Sequence, residues 1–229
     1  MLLLAFDTAT PAVTAAVCEP DGAAVRIRAA ASAVDARRHG ELLAPGIRDV
    51  LARADASPAD LTHIAVGIGP GPYTGLRVGL ATAHALAEAL GIACHGVATL
   101  DAIAHASGRD TPFIAASDAR RKEVFWARYA DSATRVGDIA VDRPADVPAD
   151  GLPVIGHGAR LYADVFGQDA DAAEPLYPSA AALGEVAVLR LLAGAELPEP
   201  RPLYLRRPDA QVPGAPKRVS AVRGPAARA

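Results

Sequence analysis

Cysteine is scarce in this chain of 229 residues: there are two, Cys18 and Cys94. They lie far apart, each in an apolar stretch that reads as a strand, so buried reduced thiols are expected and a disulfide framework is not. No apolar run reaches the ~18 residues that a membrane span needs. Nor does an N-terminal segment join a basic region to an apolar core and a small-residue cleavage site, because a strand begins almost at once. A cytoplasmic protein with no membrane contact is expected. A large excess of one charge is also missing, with a formal net charge of -3 and a pI near 6.1. Such a balance gives no global pull toward a polyanion, so nucleic-acid binding by the isolated chain is not indicated.

What is present is a hydrophobic content of 51% with 20 Gly and 19 Pro, as in an ordinary folded α/β protein. The length suits one domain or two small halves. Leu2 to Phe6 is a continuous apolar run closed by the turn-forming Asp7-Thr8-Ala9-Thr10-Pro11, and it reads as a buried strand. Val13 to Cys18 and Ala23 to Ala30 follow as strands joined through Pro20-Asp21-Gly22, which completes a three-stranded meander. Leu43, Ile47, Val50, Leu51 and Ala54 share one helical face; Pro45 belongs in the first turn of that helix, or else kinks one that begins near His39. Ser57-Pro58-Ala59-Asp60 reads as a capped helical turn.

Ile64 to Ile68 is then a strand, followed by a glycine-rich turn and a helix from about Thr74 to Leu90 that Gly91 terminates. Ile92 to Val97 is another strand, and Thr99 is placed to cap a helix running to about Ala106. A meander implies antiparallel pairing and the later strand–helix alternation implies parallel pairing, which together are the order of a ribonuclease H-like unit. The second half restarts the pattern with strands at Phe113 to Ser117, Val124 to Tyr129 and Val136 to Val141. It then erodes through the Pro- and Asp-rich Arg143 to Pro153, before Val154-Ile155, a helix from about Ala159 and a last helix from Ser179 to Gly194. The expected domains are an N-terminal half over 1–106, a smaller degenerate C-terminal half over 107–209, and a basic disordered tail over 210–229 that carries Lys217, Arg218, Arg223 and Arg228.

The segment richest in chemical meaning is Gly67-Ile68-Gly69-Pro70-Gly71-Pro72-Tyr73-Thr74-Gly75-Leu76-Arg77, between a strand and a helix. Glycines permit positive φ and close backbone approach, and a helix start offers unpaired N–H groups, so a phosphate could sit there. The run lacks the Lys-Ser/Thr ending of a P-loop and the spacing of a dinucleotide fingerprint. A tight turn that packs the helix on its strand explains it equally.

This run resembles the Gly-Pro-Gly-Ser-Phe/Tyr-Thr-Gly-Leu-Arg signature of the TsaB (YeaZ) family, with Pro72 where serine is common. Five other blocks resemble the same family in order: Leu4 to Thr10, His39 to Ile47, Gly96 to Leu100, Asp118 to Phe125, and Pro202 to Arg206. His157 departs from the family's Asp or Asn. The resemblance implies an actin-like, ribonuclease H-like α/β fold, shared with sugar kinases and heat-shock chaperones, with mixed sheets in two related halves. It also implies a non-catalytic subunit that pairs with the catalytic relative TsaD, which transfers a threonylcarbamoyl group to the adenosine beside the anticodon of tRNAs reading A-starting codons.

Further partners implied are the ATPase TsaE, through the complex, and a second copy as a homodimer, with tRNA met only through the assembly. The chain would hold no cofactor of its own; the complex uses ATP-derived threonylcarbamoyl-adenylate and a metal held by the partner. The catalytic relative binds that metal through a His-x-x-x-His pair, and none of His39, His63, His84, His95, His105 and His157 has another histidine four positions away. No metal site is expected, which also counts against a metallopeptidase. An alternative is an independent phosphotransferase of the acetate or sugar kinase type, which needs phosphate loops in both halves, whereas the second half offers Gly156-His157-Gly158.

Two groups of site residues follow. Asp7, Thr8, Gly69, Gly71, Thr74, Gly75 and Arg77 are candidates for a vestigial nucleotide or phosphate contact, since the resemblance sets Asp7 where kinase-like relatives position Mg²⁺; the other reading of Asp7, with Thr8 and Thr10 after it, is a turn that caps its own backbone through side-chain oxygens. Leu43, Ile47, Leu76, Leu80, Ala83 and Ala87 form a partner interface on two helices, motivated by the thin, alanine-rich profile of the second.

Overall fold

A computed structural model describes residues 1–205. The basic tail expected over 210–229, and Arg206 at the end of the last motif, lie outside the described residues. The first sheet contains β1 (Leu3–Asp7), β2 (Ala12–Asp21), β3 (Ala24–Val34), β4 (His63–Gly67) and β5 (Ala93–Val97), in the order β3-β2-β1-β4-β5. β1, β2 and β3 pair antiparallel, while β4 and β5 add in parallel. That is the arrangement expected of a ribonuclease H-like unit. β3 runs on to Val34, four residues past the expected end, and a bulge between Val17 and Cys18 in its pairing leaves Arg28 as the extra residue.

Helix α1 (His39–Arg53) begins at His39, which puts the exposed Pro45 in its second turn, where it has no N–H to donate to the Glu41 carbonyl one turn back. Helix α2 spans Tyr73–Leu90 and ends on Gly91 at φ 66°. Leu43, Ile47, Val50 and Leu51 of α1 and Leu76, Leu80 and Ala83 of α2 pack on one face of the sheet, against Leu4, Phe6, Val17, Ile64 and Val66. Helix α3 spans Thr99–Ala106 and starts from Ala98. The expectation that Thr99 caps it is thereby corrected: Thr99 is its first residue, and its hydroxyl is used elsewhere.

The second sheet has the order β8-β7-β6-β9, formed by β6 (Phe113–Asp118), β7 (Val124–Asp131), β8 (Thr134–Asp142) and the two-residue β9 (Val154–Ile155). It repeats the first four positions of the first sheet, antiparallel then parallel, with less material. The single helix expected from Ala159 is instead two short pieces, α4 (His157–Leu161) and α5 (Ala163–Phe166), broken where Tyr162 leaves helical geometry at φ -125°. Helix α6 (Ala180–Leu192) returns to the first sheet and covers its other face, with Leu183 and Ala187 against Leu3, Ala5, Cys18 and Val97. Gly184 is required there, since a Cβ would collide with Cys18 Sγ.

Past α6 the chain runs as a strap, Leu197–Leu205, with proline at 198, 200 and 202. Gly96 N–H donates to Pro198 O (2.7 Å) and Leu203 N–H to Ile68 O (2.8 Å), so the strap meets β5 at Gly96 and the loop that follows β4 at Ile68. The two sheets are joined through Asp101 of α3, which is buried and accepts from Tyr129 Oη (2.9 Å), Arg135 Nη1 (3.0 Å) and Arg190 Nη2 (3.4 Å). Among the described residues, no helix is long and apolar enough to cross a membrane.

Candidate functional site

β1 ends in Asp7, and the hairpin that follows it meets the glycine-rich run ahead of α2. Asp7 is 0% exposed. Its Oδ1 accepts from Ala9 N–H (2.6 Å) and its Oδ2 from Thr99 Oγ1 (2.7 Å). Thr99 Oγ1 in turn accepts from Gly69 N–H (3.2 Å), and Thr99 N–H donates to Gly69 O (2.8 Å). Burial pushes the Asp7 carboxyl up to about 6, against the opposing pull of these hydrogen bonds and of His39.

Thr8 is held the same way, its hydroxyl donating to Gly75 O (2.7 Å) and accepting from Gly79 N–H (3.0 Å). Glycine is needed because the two loops touch backbone to backbone: a Cβ on Gly67 would strike the Asp7 carboxylate, and one on Gly71 would strike Ala9 O. Gly69 also holds φ at 93°. Asp7 and Gly71 are thus engaged by the chain's own groups, while Thr8, Thr74 and Gly75 border an open groove. Of the seven residues expected at a phosphate contact, Asp7, Thr8, Gly69 and Gly75 are buried, Gly71 is half-buried, and Thr74 and Arg77 are exposed.

Over this interlock lie two neighbouring grooves that share Pro72, Thr74 and Arg120. One, of about 400 Å³, is bordered by Thr10, Arg37, His39 and Val78. The other, of about 290 Å³, is bordered by Tyr73, Phe125, Tyr204 and Leu205. Tyr73 and Tyr204 are in ring contact at 4.8 Å, the Arg77 guanidinium sits 5.6 Å from the Tyr73 ring centre, and Arg77 Nε donates to Tyr204 Oη (3.4 Å). His39 Nε2 bonds Thr10 O (2.7 Å).

Asp118 closes its own turn by accepting from Arg120 N–H (2.7 Å) and pairing with the Arg120 guanidinium (3.2 Å). Arg120, Arg121 and Lys122 hold left-handed backbone at φ 61°, 57° and 62° in succession. His157 stacks on Tyr177 with centroids 5.1 Å apart, and burial lowers its pKa. Among the described residues, no three His, Cys, Asp or Glu side chains gather where a metal could bind.

The six residues expected to face a partner are placed differently. Leu43, Ile47, Leu76, Leu80 and Ala83 are buried in the core, and Ala87 is half-buried against it. The sheet takes the more apolar side of each helix, so these side chains are corrected from interface to core. The solvent side of α2 carries Thr74, Arg77, Ala81, Ala85 and Glu88 instead. Sequence reasoning missed the bridge through Thr99, the Asp101 junction and the Tyr73–Arg77–Tyr204 cluster. Apart from Tyr73 and Arg77, which are one helical turn apart, the partners in each are 28 to 131 residues apart in sequence, and no local pattern joins them.

The family model for tRNA N6-adenosine threonylcarbamoyltransferase, TsaD, matches residues 32–176. An uncharacterised protein of Mycobacterium tuberculosis is 46% identical over 211 residues, covering 91% of this chain and 93% of that one. One of Mycobacterium leprae is 44% identical over 211 residues, and there the chain spans 56% of the relative's length. The Escherichia coli tRNA threonylcarbamoyladenosine biosynthesis protein TsaB is 36% identical over 132 residues, which cover 56% of this chain and 55% of that protein. The solved structure of YeaZ from Pseudomonas aeruginosa is 30% identical, superposes with a TM-score of 0.74, and is matched over 89% of this chain and 99% of its own.

Proposed function

The chain belongs to the YeaZ (TsaB) family, and from that membership we propose that it serves tRNA threonylcarbamoyladenosine biosynthesis as a non-catalytic partner of the transferase TsaD. The observation that carries this reading is the interlock. Asp7 is enclosed by Thr99 and Ala9, and Gly71 is set against Ala9 O, so the acidic group that would position a metal or phosphate is engaged by the chain itself, which favours a supporting role. In this reading the chain contributes a surface to its partner. The match of the transferase family model to residues 32–176 supports common descent of the two partners.

In this reading threonylcarbamoyl-adenylate and the metal belong to TsaD, TsaE acts on the assembled pair, and tRNA meets the complex. The solvent side of α2, with Ala81 and Ala85 between Arg77 and Glu88, is the surface offered to TsaD, because small side chains permit close helix approach. Depleting the protein should remove threonylcarbamoyladenosine from total tRNA hydrolysates. Restoring it with Ala81→Glu/Ala85→Glu should yield a folded chain that neither co-purifies with TsaD nor restores the nucleoside. An unchanged nucleoside level on depletion would overturn the pathway, and robust ATP turnover by the purified chain alone would favour the phosphotransferase.

A further inference from the structure

The formal charge of the chain is -3, yet among the described residues no aspartate or glutamate borders either groove over the interlock. Arg37, His39 and Arg120 border one and Arg120 and Arg121 the other, and the two meet at Pro72, Thr74 and Arg120. The grooves beside β3, by contrast, carry Glu174 and Asp49. The carboxylates nearest to these cations in the chain are turned into their own loops. Asp35 Oδ1 accepts from Arg37 N–H (2.9 Å) and Asp118 Oδ1 from Arg120 N–H, Asp118 also pairing with the Arg120 guanidinium. Three successive non-glycine residues, Arg120, Arg121 and Lys122, hold a left-handed backbone that such residues rarely adopt, and the turn they form sets two arginines on the groove's rim. Tyr73 and Tyr204, 37% and 42% exposed, border the same groove, with the Arg77 guanidinium over the Tyr73 ring. The first turn of α2 has no side-chain cap, and its Thr74 faces both grooves.

We infer that the joined grooves bind a single strand of RNA directly, with phosphates against Arg37, Arg120 and Arg121 and a base against the Tyr73–Tyr204 pair. The combination of groups selects that occupant. Guanidinium groups distributed along a groove match successive phosphodiesters, and exposed aromatic rings match the faces of unpaired bases of any sequence. A duplex keeps those faces stacked inside, and a free mononucleotide would reach one groove and leave the cations of the other unused. The net charge hides this patch because acidic residues elsewhere outweigh it, and Arg37 and Arg120 meet here from opposite halves of the chain. The choice of RNA over DNA rests on the proposed function. Binding by the isolated chain is a separate matter from the nucleoside level that tests that function, so either can fail without the other.

Three arginine–phosphate contacts make weak, salt-sensitive binding, with a Kd of about 10–100 µM at low salt and a slope of log K against log salt of about -2. Fluorescence anisotropy of a labelled, unstructured RNA of about ten nucleotides, titrated with the full chain over a range of salt, reads both quantities. Arg37→Gln/Arg120→Gln/Arg121→Gln should weaken binding by about tenfold or more and flatten the slope to near zero, whereas Arg37→Lys/Arg120→Lys/Arg121→Lys should keep the slope. Arg37 is exposed and lies outside the strained turn, so Arg37→Gln alone, which should make the slope shallower by about 0.7, carries the test if the triple variant does not fold. Circular dichroism melts establish which variants are folded. Absence of binding at low salt, or binding that survives the glutamine substitutions and so runs through other residues, would overturn the inference. So would displacement of the RNA by AMP at equal concentration, or tighter binding of the DNA strand of the same sequence.

Discussion

Asp7 is a carboxylic acid sealed from water, and its proton is the thermodynamic variable. Its folded pKa of about 6 lies above the ordinary 3.8, so its contribution to stability is fully present below about 3.8 and is lost as pH rises through about 6. A rise of that size is worth about 3 kcal/mol. Asp7→Asn keeps an oxygen for Ala9 N–H and an amide to donate to Thr99 Oγ1, and it does not titrate. In urea melts between pH 4 and pH 8 the wild type should therefore lose about 2–3 kcal/mol relative to the variant; parallel pH profiles would show that Asp7 ionises without cost. Tyr129 gives a second test. Its hydroxyl donates to the buried Asp101, so Tyr129→Phe should lower unfolding free energy by about 2 kcal/mol, the loss expected for a hydrogen bond to a charged group.

At the scale of the element, α2 does two jobs on two sides. Leu80 lies in the core at 5% exposure, and Leu80→Ala should cost about 3 kcal/mol by chemical denaturation, whereas Ala85→Glu on the outer side should change stability by less than about 0.5 kcal/mol. Equal effects would mean that the helix is rotated from its assigned face. The existence of α2 was legible in the spacing of Leu76, Leu80 and Ala83, and its end in Gly91. Which side meets the sheet was not, because alanine populates both sides of this helix and its hydrophobic contrast is low. The strand order was legible for a similar reason of locality: a meander followed by strand–helix alternation admits few topologies. The candidate site was legible as a place but not as a state. Glycine at 67, 69, 71 and 75 reports close approach of some other group, and whether that group is a ligand phosphate or the chain's own Ala9 and Thr8 is decided by residues some 60 positions upstream.

For the molecule as a whole, the first sheet is asymmetric: among the described residues, no strand pairs with the outer edge of β3, whereas the strap bonds β5 at Gly96. Ending the chain after Gly194 would expose β5 and remove the contacts of Leu197, Leu203 and Leu205 with the cores. Such a truncation should lower Tm by about 5–10 °C and shift the protein toward high-mass species in light scattering, since it leaves the sheet with two unguarded edges. An unaltered melting profile would mean that the strap is dispensable. The strap has one more property, which concerns handling the protein rather than its folding. Arg201 is the one basic residue between Gly194 and Leu205, and Pro202 follows it directly. Trypsin does not hydrolyse an Arg–Pro bond, so a digest can nick the chain's exposed turns and still leave this cover in place along its whole length.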